Sequence, residues 1–255
     1  MMISKRGFLQ CLAVGTSLTT ASPVCAAEIK IIASMALHET YLQLVPQYEK
    51  ASGDKVIIVW SSAVGLPKLV EGSEKGDLAI LPAAGVDDLI KKGFLVPGSR
   101  VAVAKSLIGV AIRPGAPRPD LSSGAGLKKS LLASKAIVLS GGTSSFYLKD
   151  LFQKLGIADQ IKSKLNQYGP GGGENVGTVL ASGRGDLGFQ QVSEFVDVKG
   201  IEYVGPLPPE IQQVTVFSAG LFRSAPAPQA AKGLIAFLTS SQAAPILRKH
   251  GLDPG

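Results

Sequence analysis

Hydrophobic and polar positions in the first third of the chain form short apolar runs separated by longer helical patterns. The run "EIKIIA" (28–33) predicts a strand, and apolar residues then recur every three or four positions over 37–48, which predicts a helix with one buried face. Gly53 predicts the end of that helix. The continuous apolar run 55–60 is typical of a strand buried in a parallel sheet.

The same alternation of strand and helix continues along the rest of the chain. Short connections between strands and helices indicate βαβ units, and therefore mostly parallel sheets. Further strands are predicted at 76–82, 99–113, 136–140, 186–191 and within 201–222, and further helices at 61–73, 84–93, 124–134, 146–156, 174–183, 228–239 and 241–249.

The segment "PGAPRP" (114–119) interrupts this alternation and divides it into two units. The pattern predicts an α/β fold of two lobes, each a mostly parallel sheet flanked by helices, with a ligand cleft between them. We expect the first lobe to comprise 27–106 and 218–255 and the second to comprise 107–217. One continuous sheet is the alternative.

The N-terminal segment, residues 1–26, has the features of an export signal. Lys5 and Arg6 precede a short, weakly apolar stretch, and small residues offer a cleavage site before Ala27 or Glu28. The segment is too short and too rich in Ser and Thr for a membrane span. We therefore expect a periplasmic protein, exported by the general or the twin-arginine route; a buried N-terminal helix is the alternative.

Removal of the signal also changes the composition of the chain. Both cysteines, Cys11 and Cys25, lie in the signal, so the mature chain would have no disulfide or thiolate chemistry. The formal charge of +7 would fall to +5 with the loss of Lys5 and Arg6. The other basic residues are scattered and form no stripe with aromatic residues, so nucleic-acid binding is not expected.

Four predicted helices begin with Ser, Thr or Gly residues that come directly after a strand or an extended segment. These residues are Ser34, the pair Ser61 and Ser62, the segment 140–145 and the segment 169–175. Helix N-termini bind anions through free N–H groups and a partial positive charge. Since ligands of α/β sheets bind at the carboxyl ends of the strands, we expect these segments to face one cleft. Helix capping alone is the alternative explanation.

Other classes of site lack their sequence patterns. The glycine-rich segments do not have the spacing of a nucleotide P-loop or of a dinucleotide-binding loop, and no G-x-S-x-G nucleophile motif occurs. The His, Asp and Glu residues have no spacing that suggests a metal site. We therefore expect neither a cofactor nor a metal ion.

The order of Ser34, Ser61-Ser62, "KGDLAILP" (75–82), "SGGTSSFY" (140–147) and "LASGRGDLGFQQVSE" (180–194) resembles the periplasmic solute-binding proteins related to the molybdate-binding protein. The resemblance covers residues 28–255. It implies the type II periplasmic-binding-protein fold, a monomer, a small anionic ligand, and delivery to the membrane permease of an ABC transporter.

The resemblance also implies a set of ligand-binding residues. Ser34 and Ser62 match the family motifs most closely, whereas 143–145 and Val176 match less closely. The complete set predicted to bind the ligand is Ser34, Met35, Ser61, Ser62, Thr143, Ser144, Ser145, Val176 and Gln190.

Two departures from the molybdate-binding pattern suggest another ligand and a second function. Pro82 and the sequence Phe189-Gln190-Gln191 replace residues usual in molybdate binders, and "GFQQ" resembles the exported aconitate isomerases. That resemblance implies proton transfer on a tricarboxylate, for which His38, one turn after Ser34, is the candidate base. His250 is expected to be solvated. Lys105, Arg113 and Arg184 are candidate cations for such a ligand, and Tyr147 and Glu194 are further residues within possible reach.

Overall fold

A computed structural model describes residues 26–168 and 174–255. The first 25 residues of the predicted export signal and the segment 169–173 of the fourth predicted anion-binding segment lie outside the described residues. Within the described ranges, no helix has both the length and the apolar character needed to cross a membrane.

Strands and helices alternate as the sequence predicts, and the α/β class is confirmed. The strands are β1 (Glu28–Ser34), β2 (Lys55–Ser61), β3 (Leu78–Pro82), β4 (Val101–Ile112), β5 (Ile137–Ser140), β6 (Leu165–Tyr168), β7 (Leu187–Gln191), β8 (Glu202–Pro206), β9 (Val214–Leu221) and β10 (Asp253–Pro254). The helices are α1 (His38–Ser52), α2 (Gly65–Glu71), α3 (Ala83–Lys91), α4 (Gly124–Ala133), α5 (Thr143–Lys154), α6 (Ala158–Ile161), α7 (Val176–Ala181), α8 (Pro228–Leu238) and α9 (Ala244–Lys249).

The first lobe is built on β1, β2 and β3, which are parallel, and on β9 and the first half of β4, which run antiparallel to their neighbours. Apolar residues of α1, α8 and α9 pack on one face of this sheet, among them Leu44, Leu234 and Leu247. Helices α2 and α3 cover the other face through residues such as Leu66 and Leu89. The final helices of the chain therefore belong to the core formed by its first strands.

The second lobe has its own core. Strand β5 is parallel to β6 and β7, while the second half of β4 runs antiparallel to β7 and β8. Phe152 of α5 and Phe189 of β7 meet edge to face, with ring centroids 6.3 Å apart, in an apolar cluster that includes Leu148 and Ile137. On the other face, Val176 and Leu180 of α7 pack against Val138.

Strand β4 connects the two lobes by changing its partners. Leu107 pairs with Val214 of β9, whereas the next residue, Ile108, pairs with Gln191 of β7. The hydrogen-bonded order β2-β1-β3-β9-β4-β7-β5-β6 is therefore continuous, although the apolar cores on its two halves are separate. The lobe boundaries predicted at 106/107 and 217/218 stay a prediction.

Local sequence signals explain several helix ends. Gly53 ends α1 in the left-handed conformation with φ of +82°, as predicted, and the Ser123 hydroxyl caps α4 by accepting the Gly126 N–H. Helix α2 begins at Gly65, so that Pro67 lies in its first turn. A proline is tolerated there because the N–H groups of the first turn need no partner within the helix.

Candidate functional site

A cleft of about 750 Å³ lies between the lobes and is lined by residues of both. Its wall is formed by the ends of strands and the starts of helices. Nine of the residues named as candidates from the sequence line this cleft: Ser34, Met35, His38, Ser61, Ser62, Thr143, Ser144, Gln190 and Glu194.

The first-lobe wall is formed where β1 and β2 end. Ser34 is buried, and its Oγ accepts the Ala36 N–H at 3.5 Å at the start of a single 3-10 turn, Met35–Leu37, that leads into α1. Leu37, which precedes α1, offers no side-chain cap to the first turn of that helix. After β2, the Ser62 hydroxyl accepts the Gly65 N–H at 2.9 Å. This wall therefore presents serine hydroxyls and the helical turn Met35–Leu37, which Ser34 caps.

The second-lobe wall is formed where β5 meets α5. Gly142 precedes α5 and offers no side chain to cap its first turn. The hydroxyls of Ser140 and Ser144 are 3.1 Å apart, and Ser140 Oγ also accepts the Gly142 N–H. Ser145 is not among the cleft-lining residues: its side chain is buried, and its hydroxyl donates to the Gly142 carbonyl at 2.8 Å.

The start of α7 is already hydrogen-bonded within the protein. The Val176 N–H donates to Gln190 Oε1 at 2.9 Å, and the Thr178 N–H donates to Asn175 Oδ1 at 2.7 Å. Val176 itself is fully buried and does not line the cleft. Among the longer helices whose first residues line the cleft, α5 therefore begins without a side-chain cap, and α1 is preceded by the 3-10 turn that Ser34 caps.

Four carboxyl groups line the cleft, and three of them have a basic partner. His38 Nδ1 lies 2.8 Å from Glu39 Oε1, and His250 Nδ1 lies 2.6 Å from Asp197 Oδ2. Arg184 donates two hydrogen bonds to Glu174, and this pairing lowers the pKa of Glu174. The Arg184 guanidinium offsets the charge of Glu174, whereas His38 and His250 offset the charges of Glu39 and Asp197 only when their rings are protonated.

Glu194 is the fourth carboxyl group, and it has a different environment. Its Oε1 accepts a hydrogen bond from Gln190 Nε2 at 2.7 Å. The side chain is only partly exposed, through the cleft, and its burial raises the pKa of the carboxyl group to about 7. The hydrogen bond from the Gln190 amide opposes this rise only in part. Near neutral pH the group is therefore present in both protonation states.

The two histidines occupy different positions relative to the cleft. His38 lines it and meets the edge of Trp60, with ring centroids 4.9 Å apart. The expectation that His250 is solvated is wrong: the residue is 2% exposed, because the C-terminal segment folds back against the turn that carries Asp197. The buried Nε2 of His250 has no hydrogen-bond partner among the described residues.

The candidate cations and Tyr147 lie outside the lining. Arg113 Nη2 lies 3.1 Å from Asp186 Oδ1, and Lys105 is exposed. The Tyr147 hydroxyl donates a hydrogen bond to the Ile211 carbonyl at 2.7 Å. Arg184 does not line the cleft itself but contacts two lining residues, since it pairs with Glu174 and lies over the ring of Tyr168. Among the described residues, no lysine or arginine lines the cleft, and no group of His, Cys, Asp and Glu side chains is arranged to hold a metal ion.

Comparison of the sequence with known proteins gives one family and one named relative. The profile of the bacterial extracellular solute-binding proteins matches residues 29–253. An aconitate isomerase from a Pseudomonas species is 31% identical over 256 residues, which cover 96% of this chain and 97% of that protein.

Solved structures with the same fold include two anion-binding proteins. The periplasmic molybdate-binding protein of Azotobacter vinelandii superposes with a TM-score of 0.74 at 19% identity, over 89% of this chain and 99% of that one. The sulfate-binding protein SubI of Mycobacterium tuberculosis superposes with a TM-score of 0.71 at 15% identity, over 89% of this chain and 87% of that one. The predicted two-lobed fold is thereby confirmed.

Proposed function

The chain belongs to the bacterial extracellular solute-binding proteins, and from this premise we propose that it binds one small anion in the cleft between its lobes. The observation that supports this proposal is that the starts of α1 and α5, one from each lobe, line the same cleft together with serine and threonine hydroxyls. Helix starts and hydroxyls stabilise an anion without a fixed cation.

A carboxylate ligand fits this cleft in two respects. The volume of about 750 Å³ lies in the range of clefts that hold organic ligands of moderate size. The pairing of Glu39, Glu174 and Asp197 with basic groups leaves the hydrogen-bond donors of the two walls to interact with the ligand. The donors select an ionised group by the geometry of their hydrogen bonds.

The first candidate function is that of a carrier. The protein would act in the periplasm as a monomer, close its two lobes around the anion, and deliver it to the membrane permease of an ABC transporter. The family match supports the binding part of this function.

The second candidate function is the isomerisation of cis- and trans-aconitate, which the 31% identical relative favours. A base would remove a proton from the methylene carbon, the electron pair would form the new double bond, and a proton would return to the former vinyl carbon. Glu194 is suited to such transfer, since a proton-transfer group works best with a pKa near ambient pH and burial raises the pKa of Glu194 to about 7. His38 also lines the cleft and is the second candidate.

Thermal unfolding with a panel of anions tests binding and separates the two candidates. Molybdate, tungstate, sulfate, phosphate, citrate and both aconitates are added to the purified protein. A ligand at a hundred times its Kd stabilises the folded state by about 2.7 kcal/mol, which raises the Tm of a protein of this size by about 5–10 °C. If no anion raises the Tm, anion binding is refuted.

Proton NMR of each aconitate then follows any hit. Conversion between the cis and trans isomers would identify an enzyme, whereas binding without conversion would identify a carrier. Stabilisation by tetrahedral oxyanions alone would exclude the isomerase.

A further inference from the structure

Glu194 lies in a turn of the second lobe that packs against the first lobe. It ends the 3-10 turn Val192–Glu194 that follows β7, and this turn packs against the turn Met35–Leu37 before α1. The Glu194 side chain lines the cleft beside the residues predicted to bind the ligand. A ligand held by both walls would therefore meet this carboxyl group.

The hydrogen bonds around Glu194 assign different roles to its two oxygens. The Val176 N–H donates to Gln190 Oε1, which fixes the amide of Gln190 with its Nε2 directed at Glu194. Glu194 Oε1 accepts a hydrogen from Nε2 at 2.7 Å. Because Oε1 is used as an acceptor, a proton on this carboxyl group resides on Oε2.

We propose that Glu194 contacts the bound anion as a neutral carboxylic acid and donates the hydrogen on Oε2 to it. This inference rests on the proposed binding of a small carboxylate in the cleft. An ionised Glu194 would repel an anion in a partly buried site, whereas an O–H group donating to a carboxylate forms one of the stronger hydrogen bonds available to proteins.

The charges that face Glu194 are consistent with this role. Helix α1 contributes the pair His38–Glu39. The segment before α7 contributes Glu174, which pairs with Arg184. The segment after β7 contributes Asp197, which pairs with His250. Lys105 of β4 is exposed and does not line the cleft. Glu194 thus has no basic partner among the lining residues, and burial raises its pKa to about 7.

The proposal makes binding dependent on pH in a definite direction. Only the protonated form is competent to bind, so the apparent Kd equals the intrinsic Kd divided by the protonated fraction. Below pH 7 most molecules are protonated and affinity changes little. Above pH 7 each pH unit lowers the affinity about tenfold, and binding takes up one proton.

Isothermal titration with trans-aconitate at pH 7.5 and pH 8.5 tests the proposal, since the carboxyl groups of this probe are ionised at both values. We expect the wild type to bind about tenfold more weakly at pH 8.5 than at pH 7.5. Binding should take up one proton, and the proton uptake is measured by repeating the titration in a second buffer with a different ionisation enthalpy. Glu194→Gln keeps a neutral donor but cannot titrate, so its affinity should change less than twofold and no proton should be taken up.

The control variant is Glu202→Gln, which makes the same chemical change at an exposed position of β8 and should keep the wild-type pH dependence. If the affinities of the wild type and Glu194→Gln depended equally on pH, the role of Glu194 would be overturned. Binding by the wild type that does not change with pH would overturn it as well. Either result would leave the binding of a carboxylate intact. Absence of binding at either pH would overturn the carboxylate site and this inference together.

Discussion

At the scale of single residues, the hydroxyls of the cleft and its carboxyl groups have different physical tasks. Ser34 and Ser62 lie at the ends of strands, where a hydroxyl can both accept a backbone N–H and donate to a ligand. The carboxyl groups instead control the charge of the cleft, three by pairing with basic groups and Glu194 by changing its protonation state.

Loss of the two serine hydroxyls should weaken anion binding. For Ser34→Ala and Ser62→Ala we expect an affinity loss of about tenfold each, because a hydrogen bond to a charged group contributes about 1.5–3 kcal/mol. Ser62→Ala should also lower stability by about 1 kcal/mol, since this hydroxyl accepts the Gly65 N–H. Titration calorimetry measures the first effect and urea unfolding the second.

Ser123→Ala is the matched control for these variants. Ser123 caps α4 and does not line the cleft, so its loss should lower stability by about 1 kcal/mol without changing affinity. Unchanged affinity in both Ser34→Ala and Ser62→Ala would remove these hydroxyls from the binding site.

The buried carboxyl group of Glu194 should reduce stability above neutral pH. Its pKa is raised from 4.5 to about 7 in the folded protein, so the folded state binds more protons than the unfolded state between these values. Stability from this group is therefore full below pH 4.5 and is lost as the pH rises through 7. Glu194→Gln should stabilise the protein at pH 8 by up to about 3 kcal/mol.

Thermal unfolding of both proteins at pH 5 and pH 8 measures this difference. The gain in Tm for Glu194→Gln should be larger at pH 8 than at pH 5. A gain that does not change with pH would show that Glu194 has no raised pKa in the folded protein.

The sequence predicts the hydroxyl part of the site better than the charged part. Ser34 and Ser61 end their strands and Ser62 follows β2 directly, whereas Thr143 and Ser144 begin the helix after β5. Local strand and helix ends therefore determine the positions of these hydroxyls. Of the charged pairs at the cleft, His38 and Glu39 are neighbours in sequence. Asp197 and His250 are distant in sequence, and only the tertiary fold brings them together.

At the scale of elements, long periodic segments are predictable and short ones are not. Helices α1 and α8 and strands β1 and β4 have patterns long enough to be recognised, and Gly53 marks the end of α1. The prediction did not include α6, β6 and β10, which have four, four and two residues. These elements depend on tertiary contacts: β6 forms by pairing with β5, and β10 by pairing with β4.

The segment after α9 connects the lobes through one hydrogen bond that the sequence did not indicate. Leu247 and Leu252 belong to the first-lobe core, while His250 between them contacts Asp197 of the second lobe. The imidazole of His250 is buried, so the removal of its partner leaves a polar group without compensation. Asp197→Ala should therefore lower the free energy of unfolding by about 1–3 kcal/mol.

Urea unfolding measures this cost, and Asp150→Ala, an exposed substitution on α5, is the control that should change it little. If Asp197→Ala and Asp150→Ala had the same stability, the contact of His250 with Asp197 would not help to join the lobes.

At the scale of the whole molecule, β4 determines the relation between the two walls of the cleft. The strand pairs with β9 in one lobe and with β7 and β8 in the other, so the starts of α1 and α5 belong to different cores but face the same space. The sequence predicts two α/β units, but the change of partners between Leu107 and Ile108 depends on long-range pairing that no local pattern encodes.

A crystal structure of the protein grown with trans-aconitate tests the central claim most directly, because the claim concerns where the anion lies. We predict an anion between the lobes, with hydrogen bonds from Ser34 or Ser62 on one wall and from the first turn of α5 on the other. A bound anion that contacts only one lobe, or that lies outside the cleft, would contradict the account.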